Sequence, residues 1–277
     1  MKHGIFEVKM KIEKIGIVGL GYVGHAIYNF FKDHYQVIFF DPKNENSSSR
    51  EEVNACDLGI VCVPTPVAED KSCDISLVEE TLEWLETPLI LMKSTVEPGT
   101  TDRLREETGK RIVFSPEFSG ESTYWSPYLF DRDVKEEPWY IFGGDPEDTT
   151  ILVNAYMKVV GPTKTYQQTN AKTAELTKYV ENCFYATKVL YCYEVAEICK
   201  KAGIDYNEMR ELWLLDPRIN KMHTAVFAQN NKPFGGKCFP KDINALARYA
   251  KKIGYEAKLL EEVIESNKRI GKIRGGE

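Results

Sequence analysis

Ile15-Gly16-Ile17-Val18-Gly19-Leu20-Gly21-Tyr22-Val23-Gly24 runs from a short apolar strand directly into a GxGxxG turn, with a helix expected to begin near His25. Glycines at these positions permit a tight turn and a close approach of backbone to a pyrophosphate. The free N–H groups and dipole of the following helix N-terminus attract its charge. The next apolar run ends Phe39-Phe40-Asp41-Pro42, which places Asp41 twenty-two residues after Gly19. A carboxylate there can accept hydrogen bonds from an adenosine ribose and would repel a 2′-phosphate, so the site reads as one for NAD rather than NADP. Lys43 is the one nearby charge that blunts this preference.

Outward from that turn, short β-branched runs recur at Val37 to Phe40, Leu58 to Val63, Leu89 to Met92, Arg111 to Phe114 and Trp139 to Phe142. Amphipathic stretches such as Ser76 to Leu85 and Thr101 to Thr108 lie between them, while 47–49 and 136–137 read as loops. This is the alternation of a Rossmann-type doubly wound sheet in the α/β class. The pattern changes at Thr169, because from there to Ala202 there is neither Gly nor Pro and Gly203 stands at a C-cap position. One long helix is predicted, with Leu176, Val180, Phe184, Val189 and Val195 at helical spacing. Asp205 is a candidate cap for a further helix through Leu212, and helices from about Asp242 and about Ala257 complete an all-helical second domain. The expected domains are 1–168, binding the dinucleotide, and 169–277, a helical central domain.

The 277 residues carry 36 basic and 42 acidic side chains, for a net charge of -6, with no basic block to track a phosphate backbone. No nucleic acid is expected as partner. No apolar run approaches the roughly 20 residues that span a bilayer, and the charged N-terminal stretch does not read as a signal peptide. No membrane association is expected either. The seven cysteines, at 56, 62, 73, 183, 192, 199 and 238, show no CxxC or Cys/His zinc spacing. A reduced, cytoplasmic setting without a metal is the expectation.

Two further groups can carry chemistry. In Gly235-Gly236-Lys237-Cys238-Phe239-Pro240-Lys241-Asp242 a cysteine follows a flexible glycine pair, is flanked by lysines and sits beside a predicted helix N-terminus. Each of these features favours a thiolate nucleophile, although a free cysteine is as often an inert buried one. On the long helix, Lys178 and Asn182 are four apart and share a face, with Glu175 one turn before. A cation and an amide side by side can stabilise an oxyanion, and equally can be part of a solvated face.

Taken together, GLGYVG, VCVPTP (61–66), KSTVEPGTTD (93–102), SPEFSGES (115–122), AELTKYVENCFYATKV (174–189), DPRI (216–219) and FGGKCFPKD (234–242) resemble the UDP-glucose/GDP-mannose dehydrogenase family, in family order over about residues 12–270. The resemblance implies a four-electron, NAD-dependent oxidation of a nucleotide sugar, UDP-glucose or a related UDP-hexose, to its uronic acid. Cys238 would form a thiohemiacetal and then a thioester. By the same resemblance Lys178 and Asn182 steady alkoxide and oxyanions, Asp242 moves protons through water, Glu117 is an acid/base that touches substrate, and Thr95 lies near nicotinamide and water. The cofactor set it implies is Gly19, Gly21, Tyr22, Val23, Gly24, Asp41, Pro64, Thr65, Thr95, Glu121 and Lys241. The substrate set is Glu117, Phe118, Lys178, Asn182, Arg218, Phe234, Gly235 and Gly236.

Arg218 matches an arginine that reaches the partner subunit's substrate, with a local salt bridge as the alternative. The long helix implies a homodimer, with Tyr185, Tyr191 and Tyr193 as candidate interface aromatics. Three departures stand out: Ser119-Gly120 within SPEFSGES, Pro233 before FGG, and an end at Glu277 where relatives continue into a third, UDP-binding domain. The reading is therefore of a short form. An NAD-binding remnant with weak catalysis is the alternative from another class. The two-domain β-hydroxyacid dehydrogenases, which perform one oxidation without a cysteine, form a third possibility, and FGGKCFPKD argues against it.

Overall fold

The computed structural model describes residues 10–118, 133–227, 232–236 and 238–275. These divide into two compact units, one of residues 1–66 and 74–178 and the other of 67–73 and 179–277.

The first unit is built on a seven-stranded sheet in the order β2-β1-β3-β4-β5-β6-β7. Its strands are β1 (Lys14–Val18), β2 (Gln36–Phe40), β3 (Leu58–Val61), β4 (Leu89–Met92), β5 (Ile112–Phe114), β6 (Trp139–Gly143) and β7 (Thr165–Thr169). All neighbours run parallel except β5 and β6, which pair antiparallel through Phe114 and Gly143. Strand residues alternate between two cores. Ile15, Ile17, Leu58, Ile60, Leu89, Leu91 and Val113 pack with Ile27, Phe30 and Phe31 of α1 (Tyr22–Phe31) and Leu152 and Tyr156 of α5 (Pro146–Val160). Val18, Val61, Ile90, Met92, Ile112 and Phe114 pack with Val53 of α2 (Arg50–Asn54), Val78 and Leu82 of α3 (Ser76–Trp84) and Leu104 of α4 (Thr100–Thr108). Burial of both faces by helices is why these strands read as unbroken apolar runs. Strand order reverses between β1 and β3, and a doubly wound sheet opens its ligand crevice at the carboxyl ends of the strands there.

The second unit contains α7 (Tyr206–Trp213), α8 (Cys238–Lys252), α9 (Lys258–Gly275) and the greater part of α6 (Ala171–Ala202). Cys183, Ala186, Leu190 and Tyr193 of α6 pack with Phe234, Ile243 of α8, and Val263 and Ile270 of α9. A second cluster joins Cys192, Ala196 and Cys199 to Tyr206. Asp205 caps α7 as expected, accepting from the N–H groups of Asn207 and Glu208.

Several expected boundaries move. α1 begins at Tyr22 rather than near His25, because Gly21 already serves as its N-cap. Strand β3 ends at Val61, two residues early. Ser49, expected in a loop, forms a capping box with Glu52 and starts α2, and 134–136 make a 3₁₀ turn. The polar β7 lacks the apolar pattern that marked the other strands. On α6, Leu176, Val180 and Phe184 are exposed. The buried face carries Ala174, Tyr179, Cys183, Ala186, Leu190, Cys192, Tyr193 and Cys199.

Candidate functional site

In the first unit the site grows from the loop after β1. Gly19 has φ +89°, and a Cβ there would lie 2.8 Å from the carbonyl oxygen of Cys62, while one on Gly24 would lie 2.0 Å from the carbonyl oxygen of Gly19. Both positions therefore demand glycine. Gly21 differs: a Cβ built on it meets nothing within 4 Å, and it caps α1 with no side-chain hydrogen bond. The open space and the uncapped first turn of a ten-residue helix fit a pyrophosphate cradle. Asp41, at the end of β2, accepts from the N–H of Leu20 (2.8 Å) and of Lys43 (2.9 Å), so its carboxylate is fixed beside the glycine loop with lone pairs remaining for a ribose. Tyr22 is exposed and Val23 half-buried at the start of the helix.

The loops after β3 and β4 are laced together. Thr65 donates its hydroxyl to the carbonyl of Thr95 at 2.8 Å, and Ser94 donates to the carbonyl of Val63 at 2.7 Å. Pro64 is exposed and Thr95 half-buried, just beyond the carboxyl ends of β3 and β4. Next to them lies a buried ion pair, Lys93 Nζ to Glu117 Oε2 at 3.2 Å, with side chains 3% and 5% exposed. Lys93 also donates to Ser115 Oγ (3.3 Å) and the carbonyl of Pro116 (3.0 Å). One lysine thus organises the Ser115-Pro116-Glu117 segment. Phe118 receives the ammonium of Lys178 over its ring at 5.2 Å, a cation–π geometry. Glu121 lies outside the described residues.

Fully buried Glu175, at the start of α6, accepts from the N–H of Gly99 (2.5 Å) and Thr101 (2.8 Å) and so caps α4 from another element. Burial pushes its carboxyl pKa up, and the amide hydrogen bonds oppose the shift.

In the second unit Cys238 is the first residue of α8 and is exposed, whereas the other six cysteines are buried. The inert buried alternative does not apply to it. Asn182, 7% exposed, donates Nδ2–H to Asp242 Oδ2 at 2.5 Å, so it does not belong to a solvated face. Lys241 Nζ donates to the other oxygen of Asp242 at 2.6 Å and stands 5.8 Å over the ring of Tyr179. Asp242 is 1% exposed and satisfied by two charged or amide donors. Phe234 is buried, and Gly235 and the left-handed Gly236 (φ +74°) are exposed. Arg218 folds back on Asp216 through Nε (2.9 Å) and Nη2 (2.6 Å), the local salt bridge foreseen as its alternative.

Residues 43–134 match the profile of the UDP-glucose/GDP-mannose dehydrogenase family, NAD binding domain, and residues 172–269 match that family's central domain. The chain belongs to this family. NAD is the cofactor that the first domain of the family binds, and the glycine loop with Asp41 fits it. UDP-glucose 6-dehydrogenase of Rickettsia bellii is 31% identical over 255 residues, covering 87% of this chain and 56% of the relative. The chain thus spans about half the length of such curated relatives. A UDP-glucose dehydrogenase from Pyrobaculum islandicum superposes with TM-score 0.77 at 26% identity, covering 94% of this chain and 69% of that one. The 3-hydroxyisobutyrate dehydrogenase of Mycobacterium tuberculosis shares the fold at TM-score 0.70 and 16% identity, over 96% of this chain and 99% of its own.

Sequence reading singled out neither the Lys93 partner of Glu117 nor the capping role of Glu175. Both lie inside family motifs, KSTVEPGTTD and AELTKYVEN, where a charged residue among apolar neighbours was the available signal.

Proposed function

We propose that the chain carries out the NAD-dependent four-electron oxidation of a nucleotide sugar, UDP-glucose or a related UDP-hexose, to the uronic acid, with Cys238 as covalent nucleophile. Residues 1–168 serve as the cofactor-binding domain and 169–277 as the domain bearing the nucleophile. The observation that carries this reading is the exposure of Cys238 alone among seven cysteines, within FGGKCFPKD and on the first turn of a helix. A helix N-terminus favours the thiolate.

When bound, NAD supplies the hydride acceptor for each of two oxidations, one molecule per oxidation. In the first, the C6 hydroxyl passes its proton through water to Asp242 as the carbon becomes an aldehyde, and the Lys178 ammonium and Asn182 amide stabilise the alkoxide. The Cys238 thiolate adds to the aldehyde to give a thiohemiacetal, and the second oxidation converts this to a thioester. Water then adds to the thioester carbon, the C–S bond breaks, and the thiolate returns with the carboxylate released. Asp242, anchored by Asn182 and Lys241, keeps acceptor capacity to take the proton of that water. Glu117, fixed by Lys93, serves as the acid/base at the substrate. Thr95, Pro64, Thr65, Tyr22, Val23 and Glu121 line the cofactor, Lys241 adds a cation, and Phe118, Phe234, Gly235, Gly236 and Arg218 contact the sugar nucleotide.

We also propose a cytoplasmic homodimer. Val180, Phe184, Tyr191 and Ile198 are 50%, 63%, 56% and 61% exposed and recur along one face of α6, an apolar stripe that a second copy can cover. Of the three tyrosines considered for this face, only Tyr191 lies on it, since Tyr193 is buried and Tyr185 stacks on His223.

The test is NADH yield per sugar consumed with UDP-glucose, UDP-N-acetyl sugars and GDP-mannose. Two NADH per uronic acid is the expected result. One would indicate a single oxidation, and none with any substrate would indicate a chain that binds NAD without turnover.

A further inference from the structure

Phe234 opens the FGGKC segment, lies outside any helix or strand, and is only 5% exposed. A buried peptide unit without a ladder partner must find a donor and an acceptor elsewhere. Both come from one side chain on α9. The N–H of Phe234 donates to Asn267 Oδ1 at 3.1 Å, and Asn267 Nδ2 donates back to the carbonyl of Phe234 at 3.1 Å. The amide of Asn267 thus acts as a surrogate peptide of a neighbouring strand.

The clamp lies close to the nucleophile along the chain. Phe234 meets Phe239 edge to face at 6.5 Å, and Phe239 directly follows Cys238. Gly236, at φ +74°, sits between them. One end of the segment is therefore held by Asn267 and the other by the first turn of α8. α9 itself is anchored by apolar contacts of Val263 and Ile270, so its attachment does not depend on Asn267.

From this geometry we propose that Asn267 is a positioning residue for the reaction: its side-chain amide fixes Phe234 and, through the contact of Phe234 with Phe239 beside Cys238, sets where the thiol and the substrate loop stand. The inference rests on the reading of Cys238 as nucleophile for its kinetic consequence, though not for its structural one. An asparagine in this role cannot be replaced by aspartate at neutral pH. A carboxylate still accepts from the Phe234 N–H, but it has no proton for the carbonyl and repels it. A protonated aspartic acid restores both bonds.

The experiment uses the full chain with Asn267→Ala and Asn267→Asp. Amide hydrogen exchange of peptides spanning 232–240 should accelerate at least tenfold in Asn267→Ala, with peptides of β1, β3 and β4 unchanged. In Asn267→Asp the same acceleration should appear at pH 7.5 and shrink, relative to the parent at each pH, as pH falls towards 4, where an ordinary aspartate is about half protonated. With nucleotide sugar, kcat should fall about tenfold or more while KM for NAD stays within twofold. Unchanged exchange at 232–240 in a folded Asn267→Ala, or acceleration spread evenly over the chain, would overturn the proposal. So would an Asn267→Asp response without pH dependence. A parent protein inactive on every nucleotide sugar defeats the proposed function instead, and the exchange measurements still decide the role of Asn267.

Discussion

The two units hold their reactive groups by opposite means. In the first, charges are sunk and tied: Lys93 and Glu117 face each other almost without solvent, and Glu175 spends both oxygens on backbone amides. In the second, the proposed nucleophile Cys238 is exposed, while Asn182 and Asp242, hydrogen-bonded to each other, are buried. A nucleophile must be reached by substrate, whereas a group that orients or polarises works best where dipoles cannot be reoriented by water. The cysteines show the same division. Burial pushes the thiols of Cys62 and Cys183 up to about 12, which leaves a thiolate fraction on the order of 10⁻⁵ at pH 7.5.

The comparison breaks most sharply at Cys238. Cys238→Ser should reduce uronic acid formation by roughly 10³-fold or more and leave NAD affinity within twofold, because a serine hydroxyl is a poor nucleophile at neutral pH. Coupled assays of uronic acid and calorimetry with NAD read the two halves; unchanged turnover would falsify the covalent role. In the parent, iodoacetamide at pH 7.5 should label Cys238 at least about a hundredfold faster than Cys62 or Cys183, since it is exposed and burial both shields the other two and suppresses their thiolates. Peptide mapping showing equal labelling would erase the distinction between the units.

The buried pair of the first unit is sharpened by a double-mutant cycle. Lys93→Met takes the cation from a buried carboxylate and should cost about 3–5 kcal/mol of unfolding free energy, and adding Glu117→Gln should recover part of that. Additive losses in denaturant titrations would show that the two side chains do not interact. A smaller effect is expected at Asp41. Asp41→Ala removes a ribose acceptor worth about 1–1.5 kcal/mol, so NAD should bind about tenfold more weakly and the gap to NADP should narrow. A parent with equal affinity for both cofactors would contradict the assignment.

The least stability change belongs to the exposed face of α6. Phe184→Lys with Tyr191→Lys should move monomer stability by no more than about 0.5 kcal/mol per site, as expected of surface positions, while shifting sedimentation from dimer to monomer. A parent that already sediments as a monomer would remove the need for a covered stripe.

Much of this was legible from the chain alone where local rules act. The β1 glycine turn, the Asp41 placement, the cap at Asp205 and the uninterrupted α6 follow from backbone sterics, hydrogen-bond capping and periodicity over a few residues. The motif order pointed to the family and to Cys238. β7 was not legible, because a polar strand such as TYQQT takes its structure from the sheet edge it joins rather than from its own pattern. The burial of α6 was legible only in part. Helical spacing shows that Leu176, Val180 and Phe184 share a side, but which side is buried depends on what α8 and α9 bring against it. Lys93 to Glu117, Glu175 to Gly99 and Thr101, and Asn267 to Phe234 join residues up to 76 positions apart. Sequence by itself determined the turns, the caps and the FGGKCFPKD motif, since each depends on neighbours in the chain. Only the tertiary structure decided which charges are buried, which amides they satisfy and which side chain holds Phe234, because desolvation and hydrogen-bond partners exist only once distant segments pack together.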